Sequence, residues 1–258
     1  MSILSGAAAV LRLFSVERQE LSVTDVARLL DMPKSSASRL LRAMLNQQLL
    51  MHAGDTPRYR VGHLIFETSR AYFGHSHLVD LVDGELLELC QATGHTGYIS
   101  MLDNEDVLVL RVHLGTQPLR VVTPHGSRRK AFATSTGRSM LARLGAAQVD
   151  TLTLDHARSE KSPKTHAALE HILGEIRCKG WAEAEDEEIP GVASIAVSIA
   201  DARKSELLSF CLVFPAHTIA QGERANYAAR LVAAARRIAA QVDDPFWTQR
   251  HPLKIVAA

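Results

Sequence analysis

Lys34, Ser35, Ser36, Ser38, Arg39 and Arg42 fall close together, just after the Met32-Pro33 break. Hydroxyls and cations at the start of a helix can bond phosphate oxygens, and an arginine there can also reach base edges. Further on, Arg58 and Arg60 alternate along an extended run, so both share one face while Tyr59 points to the other. That face can touch a nucleic-acid backbone or minor groove. Residues 32–60 contain five bases and a single acid, Asp55. This chemistry is recognition of a polyanion, not bond cleavage.

The surrounding elements must hold those groups in place. Ile3, Ala7, Val10, Leu11 and Phe14 recur at helical spacing and predict a helix over 3–14. Leu21 to Val23 is an extended step, after which Thr24 is placed to cap a helix over 24–31. Ser35 or its neighbour opens the next helix, with Leu40, Leu41, Met44 and Leu45 facing inward. Leu49 to His52 and Arg58 to Val61 read as strands around a Gly-Asp-Thr-Pro turn. Helix, helix, tight turn, helix, hairpin is the order of a winged helix-turn-helix, which occupies residues 1–62.

A helical segment, 63–76, then links this module to residues 77–258. In that larger part the spacing predicts helices over 77–92, 135–144, 169–179 and 226–242. Strands are predicted over 97–102, 107–113, 119–123, 192–200 and 207–214. Strands flanked by helices in mixed order imply an α+β domain with an antiparallel-rich sheet. The tail 244–258, with two prolines and no period, is expected to be loosely held.

Over the whole 258 residues the net charge is only +1, from 29 Lys+Arg and 28 Asp+Glu. Resolved along the chain, residues 1–62 have 8 bases and 5 acids, and the rest have 21 and 23. The positive charge is therefore local to the small module. A 47% hydrophobic content excludes a mostly disordered chain. No apolar run is long enough to span a membrane, and the N-terminus lacks the pattern of a secretory leader, so a cytoplasmic protein with no membrane partner is expected. Cys90, Cys178 and Cys211 are widely spaced, which argues against a disulfide framework.

Three other function classes compete: an enzyme, a redox sensor, and an architectural or interaction protein, which would not need a pocket-forming second domain as large as residues 77–258. For an enzyme, the hydrolase elbow, Walker, zincin and dinucleotide-binding motifs are all missing. His75 with His77, or Cys90 with His95, could ligate a metal, but neither pair has a four-ligand pattern. No catalytic residue, metal or cofactor is expected. For a redox sensor, Cys90 and Cys211 lie in apolar surroundings that suit inert thiols.

Asp31 to Ser36, Ser38 to Leu41, Leu49 and Tyr59 to Gly62 together resemble the DNA-binding half of the IclR family of bacterial transcription regulators. Gly126 to Arg128, Ala133 to Ser135 and Gly137 to Ala142 are similar to that family's loop and helix over the effector pocket. Gly180-Trp181, Glu185 to Glu188 and Gly191 are similar to its second pocket segment, and the resemblance runs from about residue 3 to 242. It implies a winged helix, a linker helix and a GAF-like effector-binding domain. It also implies a homodimer or tetramer on palindromic or repeated promoter sites, with a small organic acid as effector.

The positions matching the family's effector contacts are Val121, Arg129, Ser135, Thr136, Ala184, Ser194, Cys211 and Val213, with Glu185 adjacent. Relatives that bind small keto-acids have an acid where Ala184 stands and serines where Cys211 and Val213 stand. Arg129 occupies a position that is usually apolar, and Phe132 one that is often histidine. The pocket implied is more apolar, with an added cation. It suits a carboxylate head on a larger, aromatic body.

Overall fold

The computed structural model describes residues 2–15, 17–73, 76–155 and 159–249, the side chains of 70–73 excepted. It divides into two compact units, Met1–Ser76 and His77–Ala258.

The first unit contains α1 (Ile3–Leu11), α2 (Val23–Leu29), α3 (Lys34–Asn46), β1 (Leu50–His52), β2 (Tyr59–Val61) and α4 (His63–Phe73). Ser22, not Thr24, caps α2. Its hydroxyl accepts from the Asp25 N–H at 3.1 Å, and Asp25 accepts from the Ser22 N–H at 2.9 Å. This reciprocal pair starts the helix earlier than a Thr24 cap would. The chain then reverses at Asp31, whose φ is +48°, and the Met32 N–H donates to Ala27 O at 3.0 Å. Val10, Val26, Ala37, Leu41, Met44 and Leu50 form the core. Leu21 pairs antiparallel with Tyr59, so the extended step lies alongside the wing. α1 ends at Leu11, short of the predicted Phe14.

The second unit begins with α5 (His77–Thr93), β3 (Thr96–Asp103), β4 (Asp106–His113) and β5 (Arg128–Lys130). A short 3-10 turn (Ala131–Ala133) leads into α6 (Ser135–Leu141), α7 (Ala146–Val149) and α8 (His166–Lys179). The chain closes with β6 (Ala182–Glu185), β7 (Val192–Asp201), β8 (Glu206–Pro215), α9 (Gln221–Val242) and α10 (Pro245–Thr248). Six strands form one antiparallel sheet in the order β5-β4-β3-β8-β7-β6. Strand alternation sorts the side chains. Phe210, Leu212 and Phe214 of β8 pack with α5 and α9. Cys211 and Val213 face the other way, beside Tyr98, Val109 and Ala196. On that face α6 crosses β7 and β8. Gly137 lets the preceding 3-10 turn fold closely onto α6, since a Cβ there would sit 2.1 Å from Ala131 O.

Two expectations need correction. Residues 119–123 form no strand, because Tyr98 takes their backbone instead: its hydroxyl donates to Val121 O at 2.7 Å and accepts the Thr123 N–H at 2.8 Å. Nor is the start of the tail loose. Asp244 is fully buried and accepts from Arg143 Nη2 at 2.6 Å and from the Ala200 N–H at 2.9 Å. Trp247 is also buried and donates to Ser198 O at 2.8 Å. Residues 250–258 lie outside the described residues.

Candidate functional site

In the first unit, the tight turn brings the start of α3 to the surface. Lys34, Ser35, Arg39 and Arg42 are exposed there, and Ser36 and Ser38 are half-buried. The opposite face of α3, through Ala37, Leu41 and Met44, is buried in the core. Among the described residues no acid pairs with Lys34, Arg39 or Arg42. Such a helix presents uncommitted cations on one side and is anchored on the other.

The two wing arginines differ. Arg60 is exposed on β2 and has no ion-pair partner among the described residues. Arg58 precedes the strand, and its guanidinium is tied back to the protein. Nε lies 3.3 Å from Glu20 Oε2, and Nη2 lies 3.4 Å from Asp25 Oδ2. Asp25 is the same carboxylate that closes the α2 cap, and its pKa is held below the usual carboxylate range, chiefly by the Ser22 N–H. Arg58 and Arg60 are both exposed, and they differ in that Arg58 is paired with Glu20 and Asp25.

In the second unit, a cavity of about 90 Å³ opens against the sheet. It is lined by Val121 and Thr123 of the tethered segment, Arg129 of β5, and Ser135 and Thr136 at the start of α6. Ala184, Ser194, Cys211 and Val213, one or two from each of β6, β7 and β8, complete the floor. The eight positions expected from sequence, Thr123 not being one of them, lie up to 92 residues apart and surround one space. The Ser135 and Ser194 hydroxyls hydrogen-bond to each other in its wall at 2.7 Å.

Glu185 is not among them. β6 alternates, so Ala184 faces the cavity while Glu183 and Glu185 reach the other side, where Arg224 Nη1 donates to both, at 3.0 and 2.5 Å. The carboxylates that do line the cavity are Glu187 and Glu188. Glu187 is buried, paired with the buried Arg138, and accepts from Ser162 Oγ at 2.9 Å. Arg138 also donates from Nε to Phe132 O at 2.7 Å. Glu188 stands 3.6 Å from Arg129 Nε. The alternation of β6 was the available signal for dropping Glu185, but four residues are too few to set a phase without the register to β7.

Sequence reading also missed Ser100. It is 1% exposed, lines the cavity, and its hydroxyl has no hydrogen-bond partner among the described residues. A buried hydroxyl left unmatched costs stability unless something else meets it. Arg128 and Lys130, on either side of Arg129, are engaged by acids of the β3–β4 turn: Arg128 by Asp103 and Asp106, Lys130 by Glu105 and Asp106. Of these three cations only Arg129 lines the cavity.

Burial pushes the Cys90 and Cys211 thiols up to about 12, which leaves little thiolate for redox chemistry. Among the described residues no group of three His, Cys, Asp or Glu side chains is arranged to hold a metal ion. His75 lies outside the described residues. No described helix is long and apolar enough to cross a membrane.

Residues 70–240 match the model of the bacterial transcriptional regulator IclR C-terminal domain, and residues 4–52 match that of the IclR helix-turn-helix domain. The HTH-type transcriptional regulator KdgR of Escherichia coli K12 is 25% identical over 249 residues, spanning 92% of this chain and 95% of KdgR. An IclR transcriptional regulator from Alicyclobacillus acidocaldarius superposes with a TM-score of 0.76 at 21% identity, covering 95% of this chain and 98% of that one. An IclR homologue from Microbacterium hydrocarbonoxydans, complexed with 4-hydroxybenzoate, gives a TM-score of 0.76 at 21% identity, over 94% and 99% of the two chains. At these identities the two structures speak to fold.

Proposed function

The chain belongs to the IclR family of bacterial transcriptional regulators, and from that premise we propose how it works: α3 reads promoter DNA, and a small carboxylic acid in the cavity of the second unit changes how tightly it does so. It is a transcriptional regulator and not an enzyme. The observation that carries the effector half is the convergence of Arg129, Ser135, Ser194 and an unmatched Ser100 hydroxyl on one mostly apolar space.

The acid's head is placed at Arg129, whose guanidinium suits a carboxylate. Val121, Val213 and Ala184 take its body, and the Ser100 hydroxyl meets a polar substituent. The volume limits that body. About 90 Å³ is smaller than the ~150 Å³ that accepts benzene in an engineered apolar cavity, so a ring enters only if the 186–191 loop gives way. The relative complexed with 4-hydroxybenzoate supports a single-ring acid as the upper bound.

For DNA, Lys34, Ser35, Ser36 and Ser38 take phosphates, Arg39 and Arg42 reach base edges, and Arg60 touches the backbone from the wing. One such module makes few contacts, and a dimer doubles them. Ile3, Leu4 and Phe66, 78%, 83% and 72% exposed, supply the apolar surface on α1 and α4 that a second copy would cover. The effector acts by binding two arrangements of the dimer unequally. Such a regulator works in the cytoplasm, beside the chromosome. Fluorescence anisotropy of labelled DNA from the protein's own promoter region tests this. Adding 4-hydroxybenzoate, benzoate or pyruvate should change the apparent Kd for at least one acid, and no response to any of the three would count against the effector reading.

A further inference from the structure

The second unit has another cleft, of about 480 Å³, where the end of α5, the segment after β4 and the start of α9 meet. His95 and Tyr227 form its floor, and both are buried. The hydrogen bonds there run in a fixed order. A carboxylate only accepts, so the Tyr227 hydroxyl donates to Glu223 Oε1 at 2.6 Å. The same hydroxyl is then left to accept from His95 Nε2 at 3.1 Å. The neutral ring therefore carries its proton on Nε2, and Nδ1 is an acceptor with no partner among the described residues. Burial, partly opposed by Glu223, holds the His95 pKa below its usual value and keeps the ring neutral.

The described lining of the cleft thus offers acceptors and contains no arginine or lysine, Arg230 acting on Tyr227 from outside it. Glu223 is the one charged side chain of its described lining, and Leu119 and Ile219 supply apolar surface beside it. We propose that this cleft is a second ligand site, for an organic ammonium ion: its N–H groups donate to Glu223 and to His95 Nδ1, and its apolar body rests on Leu119 and Ile219. The first cavity has an arginine, Arg129, in its lining, and the described lining of this cleft has no arginine or lysine, so the two sites take different ligands. They also share a strand of backbone. Gln117 to Leu119 wall the cleft, and Val121 and Thr123, held by Tyr98, wall the cavity.

Isothermal titration of the full-length protein with benzylammonium chloride tests the site, with benzyl alcohol and benzoate as neutral and anionic counterparts. Benzylammonium is expected to bind saturably below about 10 mM, and the two counterparts are not. Glu223→Gln, at an exposed position, should weaken binding about fivefold or more without changing Tm. Ala184→Phe, which fills the first cavity, should leave benzylammonium binding unchanged. Hydrogen exchange over 114–123 should slow when the amine is bound. Absence of saturable binding, equal binding of benzyl alcohol, or unaltered affinity in Glu223→Gln would each overturn the proposal.

Discussion

Arg129 Nε lies 3.6 Å from Glu188 Oε2, and both side chains line the same cavity. The cation assigned to the effector is therefore already neutralised, and an incoming carboxylate competes with Glu188 for it. Removing the competitor should help the ligand. Glu188→Gln is expected to tighten benzoate or 4-hydroxybenzoate binding about three- to tenfold, and Arg129→Ala to weaken it by a similar factor. Titration calorimetry reads both. Opposite signs for the two variants support the pairing, and no change in Arg129→Ala removes Arg129 from the site.

The wing arginines should separate in a salt titration. Each lost phosphate contact lowers the slope of log K against log salt by about 0.9. Arg60→Ala is expected to reduce the slope by that amount per module, whereas Arg58→Ala should leave it unchanged, since Arg58 is engaged by Glu20 and Asp25. Arg39→Ala should cost about 1–3 kcal/mol on the cognate promoter fragment if it reads a base. Equal loss on unrelated DNA would make Arg39 a phosphate contact instead.

Asp244 lines neither of the two spaces and predicts an effect on stability. It is fully buried and takes the Arg143 guanidinium and two backbone N–H groups, of Ala200 and Phe246. Asp244→Ala removes the carboxylate from Arg143, which keeps Ser198 O and the Phe246 ring, at a cost of about 3 kcal/mol. Thermal unfolding should show Tm lower by roughly 6–12 °C. A shift under about 2 °C would mean that the segment is held by Trp247 alone.

Thiol accessibility gives a simple count. Cys178 is exposed, while Cys90 and Cys211 are buried with their thiols pushed up to about 12. At about pH 8 a thiol reagent should titrate one cysteine in the native protein and all three after denaturation. Rapid reaction of more than one in the native state would reopen a redox role.

Long periodic segments were legible from sequence. The helix over 63–73 and the long strands of β7 and β8 carry enough turns or alternations to fix their type. Short or tethered segments were not. Leu119 to Thr123 has strand-like composition, yet the Tyr98 hydroxyl, more than 20 residues upstream, captures its backbone. At the ligand cavity, residue identity was readable through the family pattern, but facing was not. Glu185 differs from Ala184 by one position on a strand, and one position reverses the side. Glu188, Ser100 and the Arg58 pairing depend on contacts between distant segments, which no local pattern records.

The central claim is that the cavity of the second unit controls DNA binding by the first. Ala184→Phe is the sharpest test, because Ala184 lines the cavity of the second unit whereas α3 belongs to the first. Anisotropy titrations of promoter DNA should be run on wild type and variant, with and without the acid that shifts the wild-type Kd. Ala184→Phe is expected to bind DNA and no longer to respond to the acid. A full response in Ala184→Phe would contradict the claim.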